Sequence, residues 1–253
     1  MQSLAERIQQ ARTAPSEHLW TIIQRATPPV LEAVLDNPAC EPFHVITILR
    51  NIRVTPELTE RIYQDARWMQ HYRVKVALVR CRQTPYYIAS HLVYELFWRD
   101  LVQVAQDYRV DPRVRHAAER IVMQKMEEMS IGEKMALAKI ATRRLIVHIR
   151  NTVREGPVLI ELLHNPRLIE EDVVALLQVP QLPVEFIRAL AARPQWCYRA
   201  QVRTALVRHP HTPLHVVRQI LPRLSTTEVQ ALLHEATLRP MVRRLLREHR
   251  ARR

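Results

Sequence analysis

The sequence predicts an all-α fold built from many short helices, and three observations carry the prediction. Apolar residues recur at helical spacing, prolines stand between the apolar stripes and not within them, and the second half of the chain repeats the first. Of 253 residues, 17 are proline and only two, Gly132 and Gly156, are glycine. Motifs that need neighbouring glycines are therefore excluded: the dinucleotide-binding turn, the phosphate-cradling loop, the nucleophile elbow of α/β-hydrolases and the GXXG nucleic-acid clamp. With 47% hydrophobic and 25% charged residues, the chain has the composition of a well-cored globular protein, and disorder is not expected over most of it.

In chain order, Ser3 and Glu6 open the first helix as a capping box, each side chain accepting from the other residue's backbone N–H. The apolar run from Pro29-Val30-Leu31 to Leu35 stops at Asn37-Pro38, where asparagine tolerates a left-handed cap and proline prevents continuation. Thr55-Pro56, Thr84-Pro85 and Asp111-Pro112 read as helix starts: the residue before proline is held out of the α region, as an N-cap must be, and proline at the first helical position lacks a donor that would go unused. Between them Val74, Ala77, Leu78 and Cys81 fall at i, i+3, i+4 and i+7, the stripe of one buried face. Ser130 with Glu133 forms a second capping box, Asn165-Pro166 a second stop, and Val202, Ala205, Leu206 and His209 a second stripe. Thr212-Pro213 is a further start, and Ser225 with Glu228 a third capping box. The sum is about eighteen helices of about 8 to 15 residues joined by very short loops.

The duplication is explicit in the prolines: positions 38, 56, 85 and 112 are followed by 166, 183, 213 and 240, each 127 or 128 residues further on. The surrounding residues agree. Pro29-Val30-Leu31, Leu35 and Asn37 match Pro157-Val158-Leu159, Leu163 and Asn165; Trp68, Val74, Ala77-Leu78-Val79-Arg80 and Thr84 match Trp196, Val202, Ala205-Leu206-Val207-Arg208 and Thr212. Chance similarity between helices would not preserve the order of the gaps. The expected organisation is a first half, 1–128, and a second, 129–253, stacked as one continuous superhelix.

Short consecutive helices with internal repetition resemble the HEAT-like and leucine-rich-repeat-variant α-solenoids. The resemblance is clearest from Val202 to Pro213, where a small-residue helix runs into His209-Pro210-His211-Thr212-Pro213, similar to a repeat junction of those families, and it extends to the segment from Val74 to Pro85. The proline spacing of 17 to 30 departs from a single fixed period, and no iron–sulfur cysteine cluster of the kind some variant-repeat proteins carry is present. The resemblance implies a curved superhelix with a concave binding surface, usually a scaffold and occasionally an enzyme. Physically, each helix pair would bury its apolar face only against its neighbours.

Net charge is +13, unequally shared: residues 1–128 hold 17 Lys and Arg against 15 Asp and Glu, a balance of +2, and residues 129–253 hold 21 against 10, a balance of +11. No acid lies between Phe186 and Thr227, whereas seven arginines do. A genome bias explains arginine replacing lysine but not the missing acids. Such basicity attracts an acidic protein face or a polyanion. The expectation is a non-enzymatic binding or scaffold protein that uses a basic surface of its second half to hold a protein partner, with nucleic-acid binding as the alternative.

The candidate binding face comprises Trp196, Arg199 and Arg203, which share one side if residues 196–206 form one helix, with Arg208, the duplicates Trp68, His71 and Lys75, and the terminal Arg243, Arg244 and Arg247. An aromatic plane beside cations can stack a base and hold its phosphates; a tryptophan present in both halves is more simply a packing residue between helices, with its basic neighbours in water. Trp20 and Trp98 have no duplicate tryptophan and are expected to be buried. His211 and His215 have the i, i+4 spacing of metal ligands, yet Pro210 and Pro213 make the stretch a junction, so no metal is expected. Asp100 and Asp107 near Trp98, with the Glu127-Glu128 pair, are the best carboxylates for catalysis. Trp98 with Asp100 is similar to the tryptophan and aspartate of HEAT-like DNA glycosylases, the second alternative; no catalytic residue or cofactor is assigned. Cys40, Cys81 and Cys197 suit neither a disulfide framework nor a zinc site. With no signal-peptide core at the N-terminus and no apolar run near the ~18 residues of a membrane span, a cytoplasmic location without membrane insertion is expected.

Overall fold

The computed structural model describes residues 3–252. Every regular element among them is helical, with twenty α-helices and two short 3-10 turns. The chain divides into two compact units, Met1–Lys125 and Met126–Arg253. The first contains α1 Leu4–Thr13, α2 Ser16–Arg25, α3 Pro28–Leu35, α4 Pro42–Leu49, α5 Pro56–Gln64, the single turn α6 Ala66–Met69, α7 Tyr72–Arg80, α8 Tyr86–Leu92, α9 Trp98–Gln106 and α10 Pro112–Lys125. The second repeats the series element for element: α11 Ile131–Ile140, α12 Arg143–Thr152, α13 Gly156–Leu162, α14 Glu170–Leu177, α15 Val184–Ala191, the single turn α16 Pro194–Cys197, α17 Ala200–Arg208, α18 Leu214–Ile220, α19 Thr226–His234 and α20 Pro240–Ala251.

Within each unit helices pack on direct neighbours, α9 on α10 and α7 on α8 in the first and α19 on α20 in the second, and also across one major helix. In the first, α1 lies on α3, α2 on α4, α4 on α7 and α7 on α9; in the second, α11 lies on α13, α12 on α14, α14 on α17 and α17 on α19. The buried stripes follow: Val74, Leu78 and Val79 of α7 and their duplicates Val202, Leu206 and Val207 of α17 are all at most 2% exposed, and each such side chain is worth about 1.5–3 kcal/mol of transfer free energy.

How the helices end explains the scarcity of glycine. No described residue has a positive φ, so no helix closes with the left-handed cap that favours glycine. Asn37 and Asn165 do stop α3 and α13, but not as left-handed residues. Instead the side-chain amide of Asn37 donates to the carbonyls of Ala11 and Ala14, both 2.8 Å away, at the end of α1, while its Oδ1 accepts from the Ala39 N–H at 2.7 Å. Asn165 does the same for Ala138, Ala141 and the N–H of Arg167 at 2.8, 3.0 and 2.9 Å. Asn51 serves Ile23 of α2 and the Arg53 N–H, and His209 serves Val179 and the His211 N–H. The last carbonyls of a helix have no partner in their own helix, and here a side chain further along the chain supplies it.

Capping at helix starts follows the sequence at Ser3, Ser130, Ser225 and Thr55, whose hydroxyls accept from the third helical N–H. At Thr84-Pro85 and Thr212-Pro213 the helix begins one residue later than the sequence predicts, with proline itself as the N-cap. The Thr212 hydroxyl is drawn away to the carbonyl of Leu206 at 2.6 Å, which is the competing local bond that keeps it from capping.

Candidate functional site

Residues 196–206 do not form one helix. Tyr198 ends the single turn α16, and Arg199 is the extended N-cap of α17; in the first unit His71 holds the same place between α6 and α7. The single turn tucks its tryptophan inward: Trp196 and Trp68 are each 5% exposed. Each is covered by a guanidinium, Arg199 at 4.9 Å from the Trp196 ring centre and Arg67 at 5.0 Å from that of Trp68. The ring faces that stacking would require are thus occupied by the protein itself.

Most basic residues of the expected face are engaged within the fold; Arg247, among the described residues, is not. Arg199 pairs with Glu170 at 3.3 Å, Arg203 with Glu228 at 2.9 Å and Arg208 with Glu235 at 2.6 Å. Lys75 pairs with Glu95. Arg203 also donates to the carbonyls of Cys197 and Tyr198 at the end of α16, and Arg243 to those of Glu235 and Ala236 at the end of α19. Arg239 donates to Thr212, and Arg154 to three carbonyls at the end of α12. Arg244 pairs with Glu248 one turn on. Arg154, Arg203 and Arg243 of the second unit thus close helix ends, the work that glycine-based caps do elsewhere. Among the described residues of that unit, Arg188, Arg218, Arg247 and Arg250 are exposed and carry no carboxylate partner; Arg247 and Arg250 line a shallow cavity of about 500 Å³ with His234 and Gln230.

The remaining candidates are structural in their contacts. His209 is 2% exposed and its pKa lies below the ordinary 6.5 because burial disfavours the charged ring. Its Nδ1 accepts from a backbone N–H, so Nε2 carries the proton donated to Val179. Among the described residues no group of three or more His, Cys, Asp or Glu is placed to hold a metal. Asp107 is held at about 2 by hydrogen bonds from Arg109 and then Arg80; the duplicate of the Arg80–Asp107 pair is Arg208–Glu235. Asp100 accepts from the hydroxyl of Tyr72. Burial pushes the Cys40 thiol up to about 12, away from the thiolate form. Trp20 is not buried but 46% exposed, and Trp98 is half-buried under Arg99.

A feature the charge balance conceals lies in the first, nearly neutral unit. Along α4, α7 and α9 runs a groove of about 1050 Å³. Its lining includes the apolar side chains of Phe43, Ile46, Val76 and Ile52; Phe43 is 58% exposed, and Ile52, 92% exposed, stands almost wholly in water. Its rim carries Arg50, Arg73 and Arg82, all exposed and, among the described residues, without a carboxylate partner. Tyr72 and Asp100 form one wall. Family models, curated proteins and solved structures contain no match to this chain. The molecule's own second copy is thus its comparison, and at the equivalent positions, 128 residues on, Arg50, Arg73 and Arg82 are replaced by Gln178, Gln201 and Pro210, Phe43 by Glu171 and Val76 by Thr204. No helix of the described residues is long and apolar enough to cross a membrane.

Proposed function

We propose that the chain is a helix-pair repeat protein of the HEAT-like α-solenoid kind, a non-enzymatic binding or scaffold protein that holds an acidic partner protein through its arginine-rich second unit. The observation that supports this reading is the register of the side-chain links. Bonds between successive helix pairs span a nearly constant stretch of chain: Asn37 to Ala11, Asn51 to Ile23, Arg80 to Asp107, Asn165 to Ala138, Arg208 to Glu235 and Arg239 to Thr212 join residues 26, 28, 27, 27, 27 and 27 apart. A stack in which each repeat touches only its neighbours has this signature. The partner surface in this reading is drawn from the arginines left over after capping and pairing, with Arg188 on α15, Arg218 on α18, and Arg247 with Arg250 on α20 as its members on regular helices.

The same four arginines favour nucleic acid as the second reading, and salt separates the two. Recovery of a stoichiometric protein from a nuclease-treated lysate, lost on Arg188→Glu with Arg218→Glu, is the expected result. Duplex or single-stranded affinity that falls far more steeply with salt than that of an unrelated basic protein, and that the same pair of substitutions removes, would replace the scaffold reading with the nucleic-acid one.

A further inference from the structure

We propose that the groove along α4, α7 and α9 of the first unit is a second, separate binding site, and that its occupant is an acidic amphipathic helix of a partner protein. Large apolar side chains in contact with water are costly to leave uncovered when they converge in a concavity. Phe43, Ile46 and Val76 line one groove, Phe43 more than half exposed, and Ile52 adds an apolar side chain that is 92% exposed. A helix laid in such a groove presents residues at i, i+3, i+4 and i+7 to the floor.

The charge of the occupant follows from the rim. Arg50 at the end of α4, Arg73 on the outer side of α7 and Arg82 just after α7 are placed around that apolar floor. Unlike Arg80 and Arg109, which also line the groove and meet Asp107, these three have no carboxylate partner among the described residues. Glutamate or aspartate flanking the apolar stripe of a bound helix would meet all three. Ile46, Ile52 and Val76 are aliphatic and suit leucine-sized side chains; Phe43 and Tyr72 also line the groove, and whether a base stacks on them is read directly by the oligonucleotide arm of the test.

The second copy sharpens the point. Its α14 and α17 repeat the helices that frame the groove, yet the three rim arginines become Gln178, Gln201 and Pro210, and Phe43 and Val76 become Glu171 and Thr204. The scaffold does not need these residues to fold, because the duplicate folds without them. What the first unit carries in addition is the apolar floor and the cationic rim together.

The test uses the full chain and a displayed library of random peptides about 18 residues long, about five helical turns. The recovered sequences are expected to converge on apolar residues at i, i+3, i+4 and i+7 flanked by acids. A labelled synthetic peptide of that consensus is expected to lose about tenfold in affinity for each of Arg50→Glu, Arg73→Glu and Arg82→Glu, and also on Ile52→Asp. Circular dichroism checks that these exposed substitutions leave the helices intact. Arg188→Glu with Arg218→Glu in the second unit should leave this affinity unchanged, so the groove and the second-unit surface fail or succeed separately. Recovered peptides without acidic enrichment would overturn the proposal. Equal weakening by the second-unit pair, or a labelled oligonucleotide that binds the groove more tightly than the peptide, would do the same.

Discussion

The buried asparagines give the sharpest quantitative test of how this fold holds together. Asn37 is 3% exposed and makes three hydrogen bonds of 2.7 to 2.8 Å, two of them to carbonyls that the end of α1 leaves without partners. Replacement by alanine removes all three and leaves the carbonyls of Ala11 and Ala14 facing a dry cavity. At about 1 kcal/mol per bond, Asn37→Ala should cost about 3 kcal/mol, a large share of the roughly 5–15 kcal/mol by which domains are stable. Asn165, 4% exposed with bonds of 2.8 to 3.0 Å, should cost the same. The two changes lie in different units, so the double variant should be additive to within about 0.5 kcal/mol. Asn37→Asp is the discriminating control: it keeps the acceptor for Ala39 but turns a carboxylate toward two carbonyl oxygens, and should be worse than alanine. Urea unfolding followed by circular dichroism at an unchanged m-value measures each cost. Losses below about 1 kcal/mol for both alanine variants, or an aspartate variant more stable than the alanine one, would show that the amides do not carry the repeat junctions.

Three further outcomes follow from the same chemistry. His209 is neutral in the fold and its pKa is lowered by burial, so the unfolded chain binds the proton more readily; its contribution is complete above the ordinary 6.5 and is lost as pH falls below that value. His209→Asn, which installs the residue used at the other three junctions, should flatten that part of the stability–pH curve, and an unchanged slope between pH about 7 and about 5 would refute the assignment. Asp172, 1% exposed, accepts from Arg143, Arg150 and the Ile169 N–H, whereas its duplicate His44 bonds the Ser16 carbonyl and the Glu41 N–H. Asp172→Ala, which strands two guanidinium groups, should cost about 3 kcal/mol in urea unfolding and His44→Ala about 1–2 kcal/mol; equal costs would mean the ion cluster adds nothing. A Cβ at Gly132 meets no atom within 4 Å, so Gly132→Ala should stabilise the first turn of α11 by about 0.5 kcal/mol, and a measured loss would show an unforeseen clash.

What the sequence made legible was local. Capping boxes, prolines at helix starts and apolar stripes are relations among residues within a turn or two, and Ser3, Ser130, Ser225 and Thr55 behave as that chemistry dictates. The duplication was legible because the same local signals recur in order. The roles of Asn37 and Asn165 were not, because their partners lie 23 to 27 residues upstream, and a stop signal looks alike whether the backbone turns left-handed or the side chain reaches away. Thr84 and Thr212 precede proline just as Thr55 does, yet only Thr55 caps. The continuous helix through Trp196 failed because periodicity does not register a single turn that reverses direction. The groove was hidden by averaging: a unit balance of +2 does not show that three arginines without an acid partner line one groove. Aligning the halves residue by residue, rather than summing each, exposes Arg50, Arg73 and Arg82 against Gln178, Gln201 and Pro210.

The charge difference between the copies has the same lesson in it. Where the first unit has Glu60, Asp65, Glu95, Asp111 and Glu119, the second has Arg188, Arg193, Arg223, Arg239 and Arg247; five exchanges of two charges each are on their own enough to account for the imbalance. They did not all create binding surface. Arg239 donates to the Thr212 carbonyl, Arg193 to the ring of His164, and Arg223 lies over Tyr198, so three of the five were absorbed by the fold. Arg188 and Arg247 were left exposed. A carboxylate can only accept, whereas a guanidinium carries five donors, and a chain that ends its helices without left-handed residues has carbonyls in need of donors at every junction. Net charge therefore measures two things here, the supply of donors to helix ends and the remainder that faces water, and only the remainder bears on partners. By that measure the nearly neutral unit, with three unanswered arginines gathered around an apolar floor, is as strong a place to look for a partner as the unit that carries most of the charge.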